Sequence, residues 1–526
     1  MSEQNNLTRR EFLKDAAIAG ATVAATSMLN VLPAAAASGI PDKWDEETDV
    51  LILGAGIGGL VAAVESSTLG AQVTVLEKMD VIGGTSLQHG GQFIAYGPTS
   101  YQKEQKAALG PEDTKENYYK LLAYGREDVL NLDLVNLVTD HCNEAVEWAL
   151  SIGHQFAALV TTNALPFISA RPWTHNSKDG GYGYAQVLKK NLDAKGGKVL
   201  MKHRALELVI NPKGEVVGAK VDADGTTKFF KAKKAVIIAT GGFSWNADMI
   251  KQFTYRAIGG SPYSVRPSET GDGIKMGQAV GADLWGMEWM NISPGTVKPA
   301  PEKFWPPRLP GTTQPASPTL IVGTSTPGIY VNKHGARFAD ETLAGSYLMH
   351  IATGQEDGVI WAIFDAAAIA KNGGKDVSPL FENDIEKEIA SGYVFKADTL
   401  QKLAEAIKIT PPENLVAQVD RYNASVAAGK DIEFGKPAQN LAAIKQSPFY
   451  ATPIGKRIVV TFGGLRTNTN AEILDPQGKP IARLYGVGRA TGGYMAKWYP
   501  TGGPTMGEMT TIGRIAAKNA IAQKPW

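Results

Sequence analysis

The hydrophobic pattern near the start of the chain predicts a strand, a helix and a second strand in close succession. Thr48 to Leu53 is a short apolar run, typical of a strand buried on both faces of a parallel sheet. A glycine-rich turn follows at once, and a helical stretch then extends to about Leu69. A second strand-like run begins at Gln72 and ends on Glu77. This order of elements predicts a βαβ unit in an α/β fold.

The turn between the first strand and the helix reads G-x-G-x-x-G, from Gly54 to Gly59. Gly54 permits the tight turn, Gly56 lets a pyrophosphate approach the backbone, and Gly59 lets the helix pack on the strand. Glu77, eighteen residues beyond Gly59, is placed to accept a hydrogen bond from a ribose hydroxyl. The complete unit predicts a Rossmann-like, dinucleotide-binding domain, with the pyrophosphate at the helix N-terminus.

Further glycine clusters distinguish between FAD and NAD as the dinucleotide. An FAD that lies extended across a domain needs several close approaches of the backbone. A dedicated NAD(P)H site needs a second complete βαβ unit, which the sequence does not contain. FAD is therefore the expected cofactor. The clusters are Gly83-Gly84-Thr85-Ser86, Gly90-Gly91, Ala239-Thr240-Gly241-Gly242, Leu484 to Gly488 and Thr491-Gly492-Gly493.

Downstream of this unit the pattern indicates further strands, a long helix and a loop. Val199 to Ile238 reads as several strands separated by turns. Asp133 to Ile152 reads as a helix with one apolar face. The proline-rich segment Pro299 to Pro318 reads as a loop, and we expect it to form an entrance rim.

Composition and charge exclude several classes of protein. The chain has 526 residues, so two or more domains are expected. Its 53 Lys and Arg residues balance 52 Asp and Glu residues, which gives no electrostatic reason to expect a nucleic acid partner. Cys142 is the single cysteine, which excludes an intrachain disulfide, a Cys-rich zinc site and a Cys-ligated iron–sulfur cluster. No C-x-x-C-H motif occurs, so no covalently attached haem and no metal site are expected.

Residues 1–37 read as a twin-arginine export signal. Thr8 to Lys14 matches the pattern S/T-R-R-x-F-L-K at all seven positions, and a mildly apolar stretch up to Leu32 follows. Small residues from Ala34 to Ala37 suit a signal peptidase, so the mature chain should begin near Ser38 and work in a bacterial periplasm. An amphipathic basic helix of the mature protein is the alternative. No later run of 18 apolar residues occurs, so no membrane span is expected.

Several segments together resemble the fumarate reductase/3-ketosteroid dehydrogenase superfamily of FAD-dependent oxidoreductases. The similarity extends from residue 46 to about residue 520. It implies an FAD-binding domain assembled from both ends of the chain, an inserted α+β capping domain, and an active site at their junction. The segments are TDVLILGAGIGGLVAAVESSTLGAQVTVLEK, IGGTSLQHGG, KAVIIATGGF, TGDGIKMG, GIYVNKHGARFADE, and TFGGLRTNTNAEIL through LYGVG to the C-terminal helix.

This resemblance implies domain limits and cofactor-binding positions. The FAD-binding domain covers residues 46–276 and 448–526, and the capping, substrate-binding domain covers residues 277–447. FAD is expected to be held noncovalently, because His89 does not match the position of the flavin-linking histidine in membrane-bound fumarate reductases. The expected FAD-binding residues are Gly54, Gly56, Gly59, Glu77, Lys78, Gly84, Thr85, Gly90, Gly91, Thr240, Gly241, Asp272, Gly488 and Gly503.

Three positions depart from the dicarboxylate site of fumarate reductases. The position of the proton-donating arginine is Gly345, four residues beyond Glu341, and Val460 stands where the family has a histidine. The arginine of the family's C-terminal N-R-x-G-G stretch is also missing, because the chain has Tyr499-Pro500 there. All three changes remove charge, which argues against a fumarate reductase in the strict sense.

The replacement Tyr499-Pro500-Thr501-Gly502-Gly503 resembles the Y-P-x-x-G element of 3-ketosteroid dehydrogenases. In that family the Tyr hydroxyl and the Gly backbone N–H hold the ketone oxygen, which implies these roles for Tyr499 and Gly503. The family's tyrosine base is matched best by Tyr347, with an offset of a residue or two. The alternatives are a packing role for Tyr499 and a place on the surface of a cap helix for Tyr347.

Three further residues lie in or near the matching segments. Arg489 stands where many relatives have a glutamate that contacts the ribityl chain of the flavin. His175 could line the site, but we expect it on a loop surface. His89, beside Gly90, is expected to form local hydrogen bonds rather than to take part in catalysis.

The resemblance implies a periplasmic FAD enzyme that reduces, or forms, a C=C bond conjugated to a carbonyl group, with hydride transfer at flavin N5 and a tyrosine as proton donor or acceptor. The missing charges favour a neutral, bulky substrate, such as a steroid-like or aromatic enone or enoate. A separate donor, such as a periplasmic cytochrome, would supply the electrons. Two alternatives stay open: a small-acid enoate reductase that uses Lys456, Arg457 or Lys497, and a flavin electron-transfer protein without turnover.

Export by the twin-arginine route is testable on the precursor. Because this route reads the arginine pair, Arg9→Lys combined with Arg10→Lys is expected to keep the precursor in the cytoplasm. Cell fractionation with immunoblotting measures the distribution, and Lys14→Arg, which leaves the pair intact, is the matched control. Wild-type amounts of the double variant in the periplasm would contradict the assignment.

Overall fold

The computed structural model describes most of the chain that follows the predicted export signal. The described residues are 38–161, 173–254, 261–262, 268–295, 327–343, 345–371, 385–390, 392 and 394–526. The predicted export signal, residues 1–37, and the predicted proline-rich rim, residues 299–318, lie outside them.

Strands and helices succeed one another along the described residues in a mixed α/β order. The strands are β1 Glu46–Leu53, β2 Val73–Glu77, β3 Phe93–Ala95, β4 Phe156–Thr161, β5 Trp173–Ser177, β6 Lys198–Met201, β7 His203–Ile210, β8 Val216–Ala223, β9 Thr226–Ile238, β10 Ser261–Pro262, β11 Leu284–Trp285, β12 Met290–Gly295, β13 Ile329–Asn332, β14 Ile360–Asp365, β15 Phe395–Ala397, β16 Phe449–Pro453, β17 Gly455–Thr461, β18 Gly464–Leu465, β19 Glu472–Leu474 and β20 Pro480–Gly486. The helices are α1 Ile57–Thr68, α2 Ser100–Glu104, α3 Lys115–Ala123, α4 Leu132–Ser151, α5 Gly180–Ala194, α6 Ala247–Phe253, α7 Asp272–Ala279, α8 Gly345–Ala352, α9 Ala366–Lys371, α10 Ile385–Ala390, α11 Leu400–Ala406, α12 Glu413–Ala427 and α13 Pro504–Ala522.

The largest sheet contains the predicted βαβ unit. Strands β20, β9, β1, β2 and β6 run parallel and lie in that order. Strand β1 is central, with Val50 opposite Val73 on one side and Ala235 on the other. Strand β20 comes from the C-terminal part of the chain, where Gly486 pairs with Ile238. The sheet is therefore assembled from both ends of the chain, as the sequence predicts.

Both faces of this sheet are covered, which explains the nearly continuous apolar runs in its central strands. On one face α1 and α13 pack together, and Leu60 and Ile512 share a buried cluster with Ile52. On the other face the β7–β8 hairpin contributes Val216 to a cluster that contains Leu51. This packing aligns the carboxyl ends of the parallel strands along one edge.

A second, antiparallel sheet lies within the segment predicted to form the cap. Its strands are β13, β14, β16 and β15, in that order, and α11 and α12 pack against it. Below it, Arg337 lies 3.0 Å from both Glu341 and Asp431, and Lys436 lies 3.2 Å from Glu341. Because these charges are fully buried, loss of one partner would leave another unpaired. The R-F-A-D-E segment thus has a structural role in this part of the chain.

Each predicted domain limit divides a structural unit of the observed fold. The limit between residues 276 and 277 lies inside α7. Strand β16 follows residue 448, yet it pairs with β14 in the sheet of the cap. The limits therefore remain predictions, whereas the α/β fold itself is observed. Within the described ranges, no helix is both long enough and apolar enough to cross a membrane.

Candidate active site

A cleft opens at the carboxyl ends of β1, β2 and β9, the edge at which open α/β sheets bind ligands. It contains about 790 Å³ of empty space, which includes space open to solvent. We call it the cofactor cleft, because most of the predicted FAD-binding residues line it. These are Gly54, Gly56, Glu77, Lys78, Gly84, Thr85, Thr240, Gly241, Asp272 and Gly488.

The glycines of the first turn meet two different requirements. Gly54 has a φ of +111°, and a Cβ there would lie 2.4 Å from the carbonyl oxygen of Ala239. A Cβ on Gly59 would lie 2.1 Å from the oxygen of Gly54, so both glycines are required by the protein itself. A Cβ on Gly56 would come only within 3.9 Å of the Ala239 oxygen and would project into the cleft. The space left at Gly56 therefore fits a ligand, as expected for a pyrophosphate.

The carboxylate of Glu77 is held by the backbone. Its Oε2 accepts a hydrogen bond from the N–H of Ala55 at 2.8 Å, and its Oε1 accepts one from the N–H of Met79 at 2.8 Å. Burial raises the pKa of Glu77, and these two hydrogen bonds partly offset that effect. Each carboxylate oxygen keeps a second acceptor site, so the arrangement is compatible with the predicted ribose contact.

Lys78 and Asp272, both predicted to bind FAD, belong to one ion-pair network at the edge of the cofactor cleft. Lys78 Nζ donates to Thr270 Oγ1 at 2.6 Å and lies 3.2 Å from Asp272 Oδ2. Arg204 donates to both Asp272 oxygens at 3.1 and 3.0 Å. Burial opposes ionisation of Asp272, but the hydrogen bonds and charges of Arg204 and Lys78 outweigh it and lower the pKa of the carboxyl. Sequence reasoning missed Arg204, because no motif marks it.

A second cavity, with about 550 Å³ of empty space, adjoins the cofactor cleft. Ser86, Arg489 and Met509 line both spaces, so an occupant of one contacts residues shared with the other. We call this space the substrate cavity. The predicted residues Gly90, Gly91, Tyr499 and Gly503 line it, together with His89, Gln92, Asn291, Val459, Val460, Thr505 and Met506. Gly59 lines neither space and is buried beneath the turn.

Tyr499 is held at the wall of the substrate cavity by three neighbours. Its hydroxyl lies 2.8 Å from Thr505 Oγ1, and the Thr505 N–H donates to the same oxygen at 3.4 Å. Its ring stacks on Phe462 with an interplanar angle of 18°. Ser346 Oγ accepts from the Tyr499 N–H at 2.6 Å and donates to its carbonyl oxygen at 3.1 Å. Burial raises the pKa of the Tyr499 hydroxyl, so it stays protonated at neutral pH.

Tyr347 is adjacent to Ser346 but faces a different environment. Its ring packs edge-on against Trp498, with 5.1 Å between the ring centroids. In the described part of the chain, Tyr347 is absent from the lining of the substrate cavity. The structure therefore brings Tyr499 and Gly503 together and places Tyr347 apart, and its role as a proton donor stays a prediction.

His175 differs from the sequence expectation. We expected it on a loop surface, but it lies fully buried in β5 and its Nε2 is 3.0 Å from Thr99 Oγ1. Burial lowers its pKa to about 4, so the ring is neutral at physiological pH. The loop expectation was wrong because β5 is sandwiched between β3 and β4, a tertiary arrangement that the local sequence does not reveal.

The cations considered as substitutes for the missing arginines lie away from the substrate cavity. Lys497 pairs with Asp128 at 2.8 Å, and Arg457 Nε donates to Ser293 Oγ at 2.9 Å. Neither these two nor Lys456 occurs among the described residues that line the cavity. The permanent charge in that lining is Arg489.

Comparison with known proteins identifies the class. A family model described as an FAD binding domain matches residues 49–506. The NADH:acrylate oxidoreductase of Vibrio harveyi is 29% identical over 90% of this chain, which spans 50% of the length of that relative. The digoxin reductase of Eggerthella lenta is 28% identical, with 99% of this chain and 98% of that protein covered.

Solved structures give the same fold. The 3-ketosteroid-Δ4-(5α)-dehydrogenase of Rhodococcus jostii, in complex with 4-androstene-3,17-dione, has 26% identity and a TM-score of 0.75, covering 93% of this chain and 100% of that one. The open conformation of a flavocytochrome c3 fumarate reductase has 25% identity and a TM-score of 0.66, covering 99% and 82%. The chain belongs to the FAD-binding domain family. It is an FAD-dependent oxidoreductase of the group that acts on C=C bonds.

The space beside Gly56 provides a test of cofactor binding. Gly56→Val is expected to fold, because its Cβ meets no close contact, but to lose most of its FAD because the side chain enters the cleft. The ratio of flavin absorbance to protein measures the loss, against about one FAD per wild-type chain that acid denaturation releases intact. Gly54→Ala is the contrasting variant, and it should lower the melting temperature as well. Full FAD occupancy in Gly56→Val would show that the pyrophosphate binds elsewhere.

Proposed function

We propose that the protein, after export to the periplasm, reduces a C=C bond conjugated to the carbonyl group of a neutral, bulky or aromatic substrate. One observation carries this proposal: the substrate cavity combines the hydroxyl of Tyr499 and the backbone of Gly503 with apolar walls that include Val460. Arg489 is the charged side chain in the described lining, and a substrate carboxylate that does not pair with it would cost about 2 to 5 kcal/mol. We propose that Arg489 serves the cofactor instead, so the lining favours a carbonyl compound without a free carboxylate.

Tyr499 is proposed to hold the substrate carbonyl oxygen. When the Thr505 hydroxyl and N–H both donate to the phenol oxygen, the phenolic proton is left free for the substrate. That hydrogen bond strengthens as negative charge develops on the carbonyl oxygen, which stabilises the transition state. Gly503 directly precedes α13, so the positive end of this helix faces the same region. FAD, when bound in the cofactor cleft, supplies the hydride chemistry.

Two relatives support parts of this proposal. The 3-ketosteroid dehydrogenase was solved with a ketosteroid, which is a neutral, bulky carbonyl compound. The flavocytochrome relative supports a cytochrome as the class of electron donor. Because this chain has no C-x-x-C-H motif, we propose that the cytochrome is a separate periplasmic protein.

A small-acid enoate reductase is the second candidate. It is favoured by Arg489, which lines the substrate cavity and could pair with a substrate carboxylate. The similarity to an acrylate oxidoreductase points in the same direction. The two candidates differ in whether Arg489 serves the substrate or the cofactor.

A substrate panel separates the two candidates. With reduced methyl viologen as electron donor, a ketosteroid enone is expected to be turned over with a higher kcat/KM than fumarate, urocanate or cinnamate. On the first candidate function Arg489 serves the cofactor, so the three carboxylates are left without a cation of their own. Arg489→Gln on the same panel is the control for recruitment of that arginine. Micromolar affinity for fumarate, lost in Arg489→Gln, would favour the second candidate.

The role of Tyr499 is tested by removal of single hydrogen-bonding groups. Tyr499→Phe keeps the ring on Phe462 and is expected to lower kcat roughly 100- to 1,000-fold, because one donor to the developing oxyanion is lost. Thr505→Val removes one of the two donors to the phenol and is expected to lower kcat roughly 3- to 10-fold. Both variants should retain FAD. Near wild-type kcat in Tyr499→Phe would move the carbonyl contact elsewhere.

Tyr347→Phe tests the proton donor separately. If Tyr347 supplies the proton, its loss should slow turnover roughly 100- to 10,000-fold and alter the pH profile of kcat. Its ring packing on Trp498 is preserved in the variant, so a fold defect is not expected. An unchanged pH profile with near wild-type kcat would contradict the proton-donor role and would indicate that Tyr347 serves only to pack against Trp498.

A further inference from the structure

Arg489 occupies a point where three spaces meet. It lies in the short turn Gly488–Ala490 that directly follows β20. It lines the cofactor cleft, the substrate cavity, and a third cavity of about 530 Å³ that also contains Glu508. An occupant of the cofactor cleft therefore contacts this residue directly.

One nitrogen of the Arg489 guanidinium lacks a hydrogen-bond partner among the described residues. This nitrogen, Nη1, is buried. A guanidinium keeps its charge and carries five N–H donors. Because a buried donor without an acceptor is costly, the arrangement implies that a ligand supplies the missing acceptor.

Glu508 interacts electrostatically with Arg489, but burial disfavours its charged form. Glu508 lies in the second turn of α13 and is 7% exposed, and no ion pair between it and Arg489 is formed in the described ranges. Burial raises the pKa of Glu508 to about 8, and the positive charge of Arg489 opposes this only in part. The carboxyl is therefore mostly protonated at neutral pH, so it offsets little of the charge of Arg489.

Two tyrosines beside this pair do not cancel the charge of Arg489. Burial raises the pKa of Tyr494 and of Tyr499, so both hydroxyls are neutral at physiological pH. In the cofactor cleft, Glu269 accepts a hydrogen bond from Ser244 Oγ at 2.6 Å. His89 lines the substrate cavity. The positive end of α13 adds to the charge of Arg489 rather than opposing it.

We propose that Arg489 tunes the cofactor: its guanidinium stabilises the two-electron-reduced, anionic form of FAD over the oxidised form, and ionisation of Glu508 opposes this effect. In this reduction the flavin takes two electrons from an external reductant and one proton from solvent, so a neutral ring system becomes a monoanion. The proposal rests on FAD binding, which the family shows, and on the first candidate function, in which Arg489 serves the cofactor rather than a substrate carboxylate.

The first test measures the two-electron potential of the holoenzyme at pH 7 with dithionite as reductant. Arg489→Gln is expected to shift the reduction equilibrium roughly 10- to 100-fold toward oxidised FAD, the effect of one hydrogen bond to a charged group. For a two-electron couple this corresponds to a potential lower by about 30 to 60 mV. Arg489→Lys, which keeps the charge, is the matched control and should retain most of the wild-type potential.

The proposal can also be tested if a variant is purified without FAD. If Arg489→Gln is purified without FAD, the dissociation constants of oxidised and reduced FAD are measured separately. The proposal requires a larger loss of affinity for reduced FAD, by roughly 10- to 100-fold. An equal loss for both redox states, or an unchanged potential in the holoenzyme, overturns it and makes Arg489 a simple binding residue.

The pH dependence of the potential tests Glu508. In the wild type, reduction should raise the proton affinity of Glu508, so the potential falls more steeply than one proton per two electrons, about 30 mV per pH unit, between pH 7 and about 9. Glu508→Gln cannot take up this second proton and should keep the one-proton slope throughout. Identical slopes in the two proteins overturn the role of Glu508. A spectrum of neutral reduced flavin in the wild type overturns the proposal as a whole.

Discussion

The close backbone contact between the first glycine turn and the end of β9 sets the geometry of the cofactor cleft. At Gly54 and Gly59 a Cβ would overlap backbone oxygens, so the turn can press against Ala239 only without side chains. The same edge of the sheet receives β20 from the far end of the chain, and this pairing brings Gly488 and Arg489 to the cleft. Cofactor binding therefore depends on strand pairing between distant parts of the sequence.

The local part of this arrangement could be predicted from the sequence, because the glycine turn and the buried strand carry their constraints within thirty residues or so. The prediction of an α/β fold, of FAD, and of the chemistry on C=C bonds is confirmed. Contacts between distant segments could not be predicted in the same way. The bidentate pairing of Arg204 with Asp272 and the bridge from Ser346 to the Tyr499 backbone depend on tertiary packing and leave no motif.

The link between the cap and the C-terminal loop illustrates this limit. A single hydroxyl, Ser346 Oγ, bonds both the N–H and the carbonyl of Tyr499, and Tyr347 beside it packs on Trp498. The sequence indicates Tyr347 as a candidate because a tyrosine hydroxyl can transfer a proton. A serine within a helix matches no motif, so Ser346 was not predicted. Yet the serine fixes the backbone that carries Tyr499. The position of Tyr499 thus depends on how α8 packs against the loop.

Burial determines which groups beside the substrate cavity are neutral and which one stays charged. Around the substrate cavity, burial keeps Tyr494, Tyr499 and Glu508 protonated at neutral pH. Among the described residues shared by the two spaces, Arg489 is the permanent cation. A cation in such a low-dielectric setting acts strongly on whichever anion is nearest. On the proposed assignment the substrate is neutral and the anion beside Arg489 is the reduced cofactor, so the same site would be neutral toward its substrate and positive toward its flavin.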